Sequence, residues 1–156
     1  MSASGTVPGP ADLDISTLVP HAPPVLSLDR IDHVDESSLR ARVTIREDSI
    51  FCEPGVGVPV WVALEFFGQA VAALEGVRAR DSARPVPVGY LLGTRRFLTP
   101  IQAFPVGARL QLSVRELHAD PTGLALFHGA IEGEEIAIEC RFSVYRKAGG
   151  EQDGHD

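Results

Sequence analysis

Sulfur and aromatic rings are scarce in this chain. Its 156 residues include two cysteines, one methionine and one tryptophan, and aromatics make up only 6%. Cys52 and Cys140 lie far apart, with no CxxC or Cys/His spacing, so neither a disulfide framework nor a zinc site is indicated. No metal and no cofactor is expected, and a reducing cytoplasm fits best. Positive charge is also in short supply. The 14 basic residues face 21 acidic ones, a net charge of −7, which argues against a nucleic-acid surface or a polybasic membrane patch. The opening "MSASGTVPGPADLD" has no basic stretch followed by an apolar one, so it does not read as a signal peptide. Long apolar runs are missing too, with one exception around "VPVWVALEFFGQAVAAL" (Val58 to Leu74). That run carries Glu65, Gln69 and, just beyond it, Glu75, so it reads as a soluble core helix and not as a membrane span.

What is present outlines one domain, since 156 residues can bury a real core but are too few for two ordinary domains. Residues 1–14 are rich in Gly, Pro, Ser and Asp, and 147–156 in Gly and acid; both are expected to be disordered tails flanking a domain over 15–146. Strict alternation marks strands. Leu39, Ala41, Val43 and Ile45 interleave with polar residues, as do Leu110, Leu112 and Val114, and Ile136, Ile138, Cys140, Phe142 and Val144 repeat the pattern most cleanly. The runs Val25 to Val34, Leu124 to Ile131 and Val88 to Leu98 are consistent with three more. Short turns at Asp35 to Ser37, Asp120 to Gly123 and Gly133-Glu134 favour antiparallel neighbours. The expectation is an α+β domain in which about six antiparallel strands cover one long helix, from about Pro59 to Arg80.

On that helix Glu65 is flanked by Trp61, Val62, Gly68, Gln69 and Ala72, with no wide polar stripe around it. A plain reading makes it a structural acceptor for a backbone amide. The functional reading is a largely buried carboxyl in low dielectric, ready to donate or accept a proton. A carboxylate buried without a partner is so costly that a polar partner or a functional use must exist. Gln69, one turn later on the same face, could orient that carboxyl or bond a substrate.

The residues resemble a family. "LVPHAPPVLSLDRI" (Leu18 to Ile31) looks like the "LPHR.P.LL.DR" start of FabZ-type β-hydroxyacyl-ACP dehydratases, and Glu65 with Gln69 matches the "E…Q" of their central helix. "GVGVPVWVALEFFGQAVAA" (Gly55 to Ala73), "VGYLLGTRRF" (Val88 to Phe97) and "FPVGARL" (Phe104 to Leu110) are closer to the ApeP-like branch, found with aryl polyene and related type II polyketide systems. The resemblance covers about residues 15–146. It implies the hotdog fold, with dimers that share a continuous sheet and hold acyl tunnels at the subunit boundary. It also implies an acyl carrier protein bearing the substrate on its phosphopantetheine. Glu65 and Gln69 are then the catalytic candidates. Gly55, Gly57, Val58, Pro59 and Trp61 ahead of the helix, with Tyr90, Leu91, Leu92, Gly93 and Arg95 of the second motif, are the candidates for binding substrate.

One departure outweighs the agreement. FabZ-type enzymes carry "GHFPG.P", whose His works across from the helix carboxylate of the other subunit; here the stretch reads "IFCEPGVGVPVW", with Cys52 or a neighbour in that place. A thiol does not simply replace imidazole at neutral pH, since its reference pKa is about 8.5 and burial raises it. His21 matches a family position that is not the catalytic one; His33 and His118 fall near strand ends or turns, and His128 within a strand. Cys52 and His21 therefore stay as uncertain site residues, and Cys140 reads as a small buried hydrophobe.

In the glycine-rich "CEPGVGVP", backbone N–H groups are plausible donors to a thioester oxygen, though glycine there serves turn geometry equally well. Arg95 and Arg96 are adjacent on a strand, so one faces in and one out; an outward arginine could grip a pantetheine phosphate or an acidic carrier protein, or simply be solvated. Three functions compete: a dehydratase subunit for carrier-bound 3-hydroxyacyl chains, completed by a His-bearing hotdog partner; a hotdog thioesterase in which Glu65 activates water; and a non-catalytic acyl-binding or stabilising subunit.

Overall fold

The computed structural model of the chain describes residues 13–15, 18, 27–83 and 88–147. In chain order these contain the strands β1 (Arg30–Val34), β2 (Ser38–Thr44) and β3 (Val58–Pro59), a 3-10 turn (Val60–Val62) and the helix α1 (Ala63–Asp81). The strands β4 (Val88–Leu98), β5 (Ala103–Phe104), β6 (Arg109–Ala119), β7 (Leu124–Gly133) and β8 (Ile136–Lys147) follow. Six of them form one antiparallel sheet in the order β1-β2-β6-β7-β8-β4. β3 and β5 pair with each other and tie down the chain ahead of the helix.

The alternation along β8 works as the sequence suggests. Ile136, Ile138, Cys140, Phe142 and Val144 are buried, while Ala137, Glu139 and Arg141 between them are exposed. β2, β6 and β7 add Leu39, Ala41, Val43, Leu110, Leu112, Val114, Phe127 and Ile131 to the same core. Helix α1 supplies the other side. It buries Ala63, Phe66, Phe67, Ala70, Val71, Ala73 and Leu74, and packs against β2, β4 and β6. Phe67 stacks on Phe142 with ring centroids 5.5 Å apart, and Phe142 on Phe127 at 5.7 Å. Burying each ring contributes about 1.5–3 kcal/mol. By length and composition the stretch Val60–Asp81 resembles a membrane span, but 61% of its apolar window is buried within the protein; it is a core helix, covered by its own sheet.

Two boundaries differ from the expectation, each for a local reason. β1 starts at Arg30: the Ser27 N–H turns to the Gln69 side chain at 2.8 Å, and the Asp29 N–H makes a first bond to the Arg42 carbonyl (2.7 Å) just ahead of the ladder, while Val25 and Leu26 lie outside the described residues. The helix starts at Ala63 and not at Pro59, because Val58 and Pro59 pair with Phe104 and Ala103 and the Val60 N–H bonds the Gln102 carbonyl at 2.9 Å. Both expected tails fall largely outside the described residues, although Leu13 packs against the core.

An ion-pair cluster at the far end of the helix was not anticipated. The Glu75 Oε1 accepts from Arg146 Nη1 at 2.6 Å and from Arg78 Nη1 at 3.0 Å. The same two guanidinium nitrogens lie 3.4 and 2.8 Å from Glu116 Oε2. Arg78 Nε also donates to the Glu36 carbonyl at 2.9 Å. Two cations and two anions thus compensate one another, and they join α1, β6, β8 and the β1–β2 turn.

Candidate functional site

Glu65 stands in the first turn of α1, where negative charge is favoured by the helix dipole. It lies on a stripe of the helix that is less buried, among the described residues, than the face turned to the sheet. Trp61 is 61% exposed, and Leu64, Glu65, Gly68 and Ala72 along the same stripe are half-buried. The carboxyl is half-buried within this chain. Gln69, one turn on, is 0% exposed. Its Nε2 donates to Glu65 Oε1 at 3.2 Å, and its Oε1 accepts the Ser27 N–H at 2.8 Å. The structure thus joins the two residues that spacing alone had placed on one face.

The loop ahead of the helix is shaped by its glycines. Gly55 (φ 74°) and Gly57 (φ 110°) both occupy the left-handed region. At Gly57 a Cβ would also collide with the Phe104 carbonyl oxygen. The Val56 and Gly57 amides both donate to the Glu53 carbonyl, at 3.0 Å each. Turn geometry thus accounts for Gly57, and the turn itself takes up these two donors. Val58 is buried and Pro59 half-buried in β3, immediately before Trp61. Cys52 is half-buried and free, with its sulfur 3.9 Å from the Glu53 carbonyl oxygen.

The second set of candidates lies on β4, which among the described residues pairs with β8 alone, at the edge of the sheet. Leu91 and Leu92 are exposed there, Leu92 by 59%, and Gly93 is exposed beside them. Arg95 pairs with Arg141 in the backbone register. The side chains of Tyr90, Arg95 and Arg96, and the whole of His21, lie outside the described residues. His33 bonds Asp35 at 3.2 Å, and His128 lies 3.8 Å from Glu139. Cys140 is buried, which pushes its thiol up to about 11.

A cleft of about 330 Å³ opens beside this site, between β2, the loop after it and the helix. Ser27, Asp29, Val43, Arg46, Val58 and Phe66 line it. Glu65 is not in its wall, but Ser27 belongs to both the cleft and the Gln69 hydrogen bond. Sequence reasoning missed Ser27, whose contact is made by a backbone amide across 42 residues. Only the requirement that a buried amide be bonded at both ends pointed to such a partner.

A single long helix against a six-stranded antiparallel sheet is the hotdog fold. The profile of the ApeP-like family, described as ApeP dehydratase, matches residues 13–153. The chain belongs to that family. Among solved structures it is similar to the dehydratase heterocomplex ApeI:P from Xenorhabdus doucetiae, with 24% identity over 88% of this chain and 93% of that one and a TM-score of 0.79. The E. coli PaaI protein from the phenylacetic acid degradation operon is 13% identical over 74% of this chain and 81% of that one, with a TM-score of 0.56. A Pseudomonas aeruginosa thioesterase is 15% identical over 76% and 81% of the two chains, at 0.53. At these identities the structural likenesses establish the fold. No curated protein matches the chain.

Proposed function

We propose that this chain is the carboxylate-bearing half of a heteromeric dehydratase, acting in the cytoplasm on 3-hydroxyacyl chains held by an acyl carrier protein in polyene or polyketide assembly. The observation that carries this reading is the position of Glu65. In a member of a dehydratase family, the carboxyl sits on the half-buried stripe of the central helix, bonded to a fully buried Gln69, while the stretch "IFCEPG" contains no histidine. The reaction breaks the Cα–H bond of the thioester and the Cβ–O bond, forms Cα=Cβ, and releases the hydroxyl with a proton as water. It needs one group to remove the α-proton and one to protonate the departing hydroxyl, and general acid-base catalysis contributes about 10²- to 10⁴-fold. Glu65 serves one transfer, and a histidine of a second hotdog subunit serves the other.

The partner would lie over the stripe from Trp61 to Ala72 and extend the sheet from the β4 edge, where exposed Leu91 and Leu92 would be buried. That the solved ApeI:P assembly is a heterocomplex supports this arrangement. In it, Trp61, Val58, Pro59 and the β4 residues from Tyr90 to Gly93 would line the acyl path, with Gly55 and Gly57 shaping its entrance and Arg95 near the carrier's phosphate.

The test is turnover of a 3-hydroxyacyl thioester by the purified chain, alone and mixed with a co-encoded hotdog protein that carries the histidine. Dehydration only in the mixture, lost when the partner's histidine is replaced, is the expected result. Hydrolysis of acyl thioesters by the isolated chain would favour the thioesterase reading. Inactivity of every mixture in the presence of stable complex formation would favour a stabilising subunit.

A further inference from the structure

On the outer face of the sheet, turned away from the core, the register builds a row across three adjacent strands. Arg115 of β6 stands opposite His128 of β7, and His128 opposite Arg141 of β8. Directly opposed residues point to the same side of an antiparallel pair, and here that side is solvent. Arg115 and Arg141 are exposed and His128 is half-buried, while their strand neighbours Val114, Phe127, Gly129, Cys140 and Phe142 are buried. Arg40 of β2, also exposed, stands opposite Ser113 and so lies diagonal to Arg115. Among the described residues the three arginines form no ion pair. Glu139 reaches the row at His128 alone, at 3.8 Å and with its side chain 78% exposed. The result is a positive strip on a molecule of net charge −7.

The spacing of the strip selects what fits it. Neighbouring strands lie about 4.8 Å apart, which separates Arg115 from Arg141 by about 9.6 Å with His128 between them. A helix rises about 1.5 Å per residue, so carboxylates at i and i+7 on one of its faces stand about 10.5 Å apart, with one at i+4 between them. An extended strand presents a side chain to one face about every 6.7 Å and matches neither spacing. The shoulders of the row are low: Ser113 and Ala130 on one side, and Leu126 and Ser143 on the other, are half-buried, so a helix can lie across the strands and gain apolar contact from Leu126.

We propose that this face, along Arg115, His128 and Arg141 with Arg40 beside them, docks an acidic helix of a partner protein laid across the strands. A second copy of the chain does not fit, because a two-fold axis through the face would set these arginines against their own counterparts. Nucleic acid is disfavoured by the chain's net charge of −7. The face lies on the opposite side of the sheet from the helix that carries Glu65, and the proposal does not depend on the reading of that site.

The test titrates the full chain, at low ionic strength, with an alanine-rich helical peptide of about 20 residues that carries glutamates at i, i+4, i+7 and i+11. A control peptide has the same composition with its glutamates spread all round the helix. Backbone amide shifts read by NMR are expected to change around Arg115, His128 and Arg141 and to leave the helix side of the protein unmoved. Arg115→Ser and Arg141→Ser should each weaken binding about two- to fivefold, and the control peptide should bind more weakly than the striped one. No shifts at this face, equal binding of the two peptides, or an affinity unchanged when both arginines are replaced would overturn the proposal. Tighter binding of a short DNA duplex than of the striped peptide would overturn it as well.

Discussion

Arg146 and Glu75, 71 residues apart in sequence, meet at 2.6 Å and fasten the last strand to the helix. Their side chains are 19% and 10% exposed, so the pair is largely out of water. Removing one partner strands the other's charge, a loss of about 3–5 kcal/mol for a buried pair. Arg78 and Glu116 remain to compensate part of it, so Arg146→Ala should lower the unfolding free energy by about 3 kcal/mol. Because burial shields the pair from salt, the loss should persist at high ionic strength. Urea denaturation at low and at high salt checks this; a change below about 0.5 kcal/mol, within the surface-pair range, would show that the pair holds nothing together.

Gly129 on β7 leaves room for the Phe67 ring. A Cβ there would lie 2.7 Å from the ring's Cε1 and 3.0 Å from Phe142. Gly129→Ala should therefore force both rings of the stack to shift, costing about 1–3 kcal/mol as overpacking does. A Phe67→Leu change made with it should recover part of that loss, and denaturation of the three variants measures the recovery. Additive losses would mean that the two residues do not compete for the same space.

Acid should loosen the β1–β2 hairpin. Asp35 accepts the Ser37 N–H, then the Ser38 hydroxyl and N–H, with His33 beside it, and is held far below the usual carboxylate range. At Asp32 burial works the other way, but the hydrogen bonds and charges of Arg42 and Arg30 outweigh it, and the net shift is also downward. Both folded-state values thus lie below the ordinary 3.8, so the stabilisation is fully present above that pH and is lost as pH falls through the folded values. Asp35→Asn should be less stable than the wild type at pH 7, and the gap should narrow below about pH 3. A gap independent of pH would contradict the assignment.

Much of this architecture can be read from the chain because it depends on short-range periodicity. The strict alternation from Ile136 to Val144 needs no tertiary knowledge to mark a half-buried strand, and an all-apolar helix carrying Glu65 and Gln69 announces that something polar must meet it. Glu75 sent the same signal on the same helix. Its partners, however, come from β6 and β8, where Glu116 and Arg146 look like ordinary strand polar residues. Pairings across 71 residues carry no local pattern. The same holds for β3 and β5, at two residues each too short for alternation to register, and for the Ser27 amide, which every residue type except proline could supply.

The two cysteines should differ sharply in reactivity. Cys140 is 2% exposed, and burial pushes its thiol up to about 11, so it holds almost no thiolate at neutral pH. Cys52 is half-buried beside an exposed turn. A small thiol reagent at pH 7.5 should label Cys52 in the native protein and reach Cys140 only on unfolding. Equal native rates would mean that the strand around Cys140 opens locally.

Glu65→Gln and Cys52→Ser separate the two groups that the sequence places near the missing histidine. Glu65→Gln keeps the side chain's size and its place beside Gln69 but removes the proton-transfer group. Turnover by the complex should fall by about 10²-fold or more, with the melting temperature little changed because the side chain keeps its size and Glu65 is half-buried. Cys52→Ser should leave turnover within about twofold, since the proposed proton transfers are carried by Glu65 and the partner's histidine. The opposite pattern, an active Glu65→Gln complex and a silent Cys52→Ser one, would move the chemistry into the loop from Cys52 to Gly57 and make the helix carboxyl a structural acceptor.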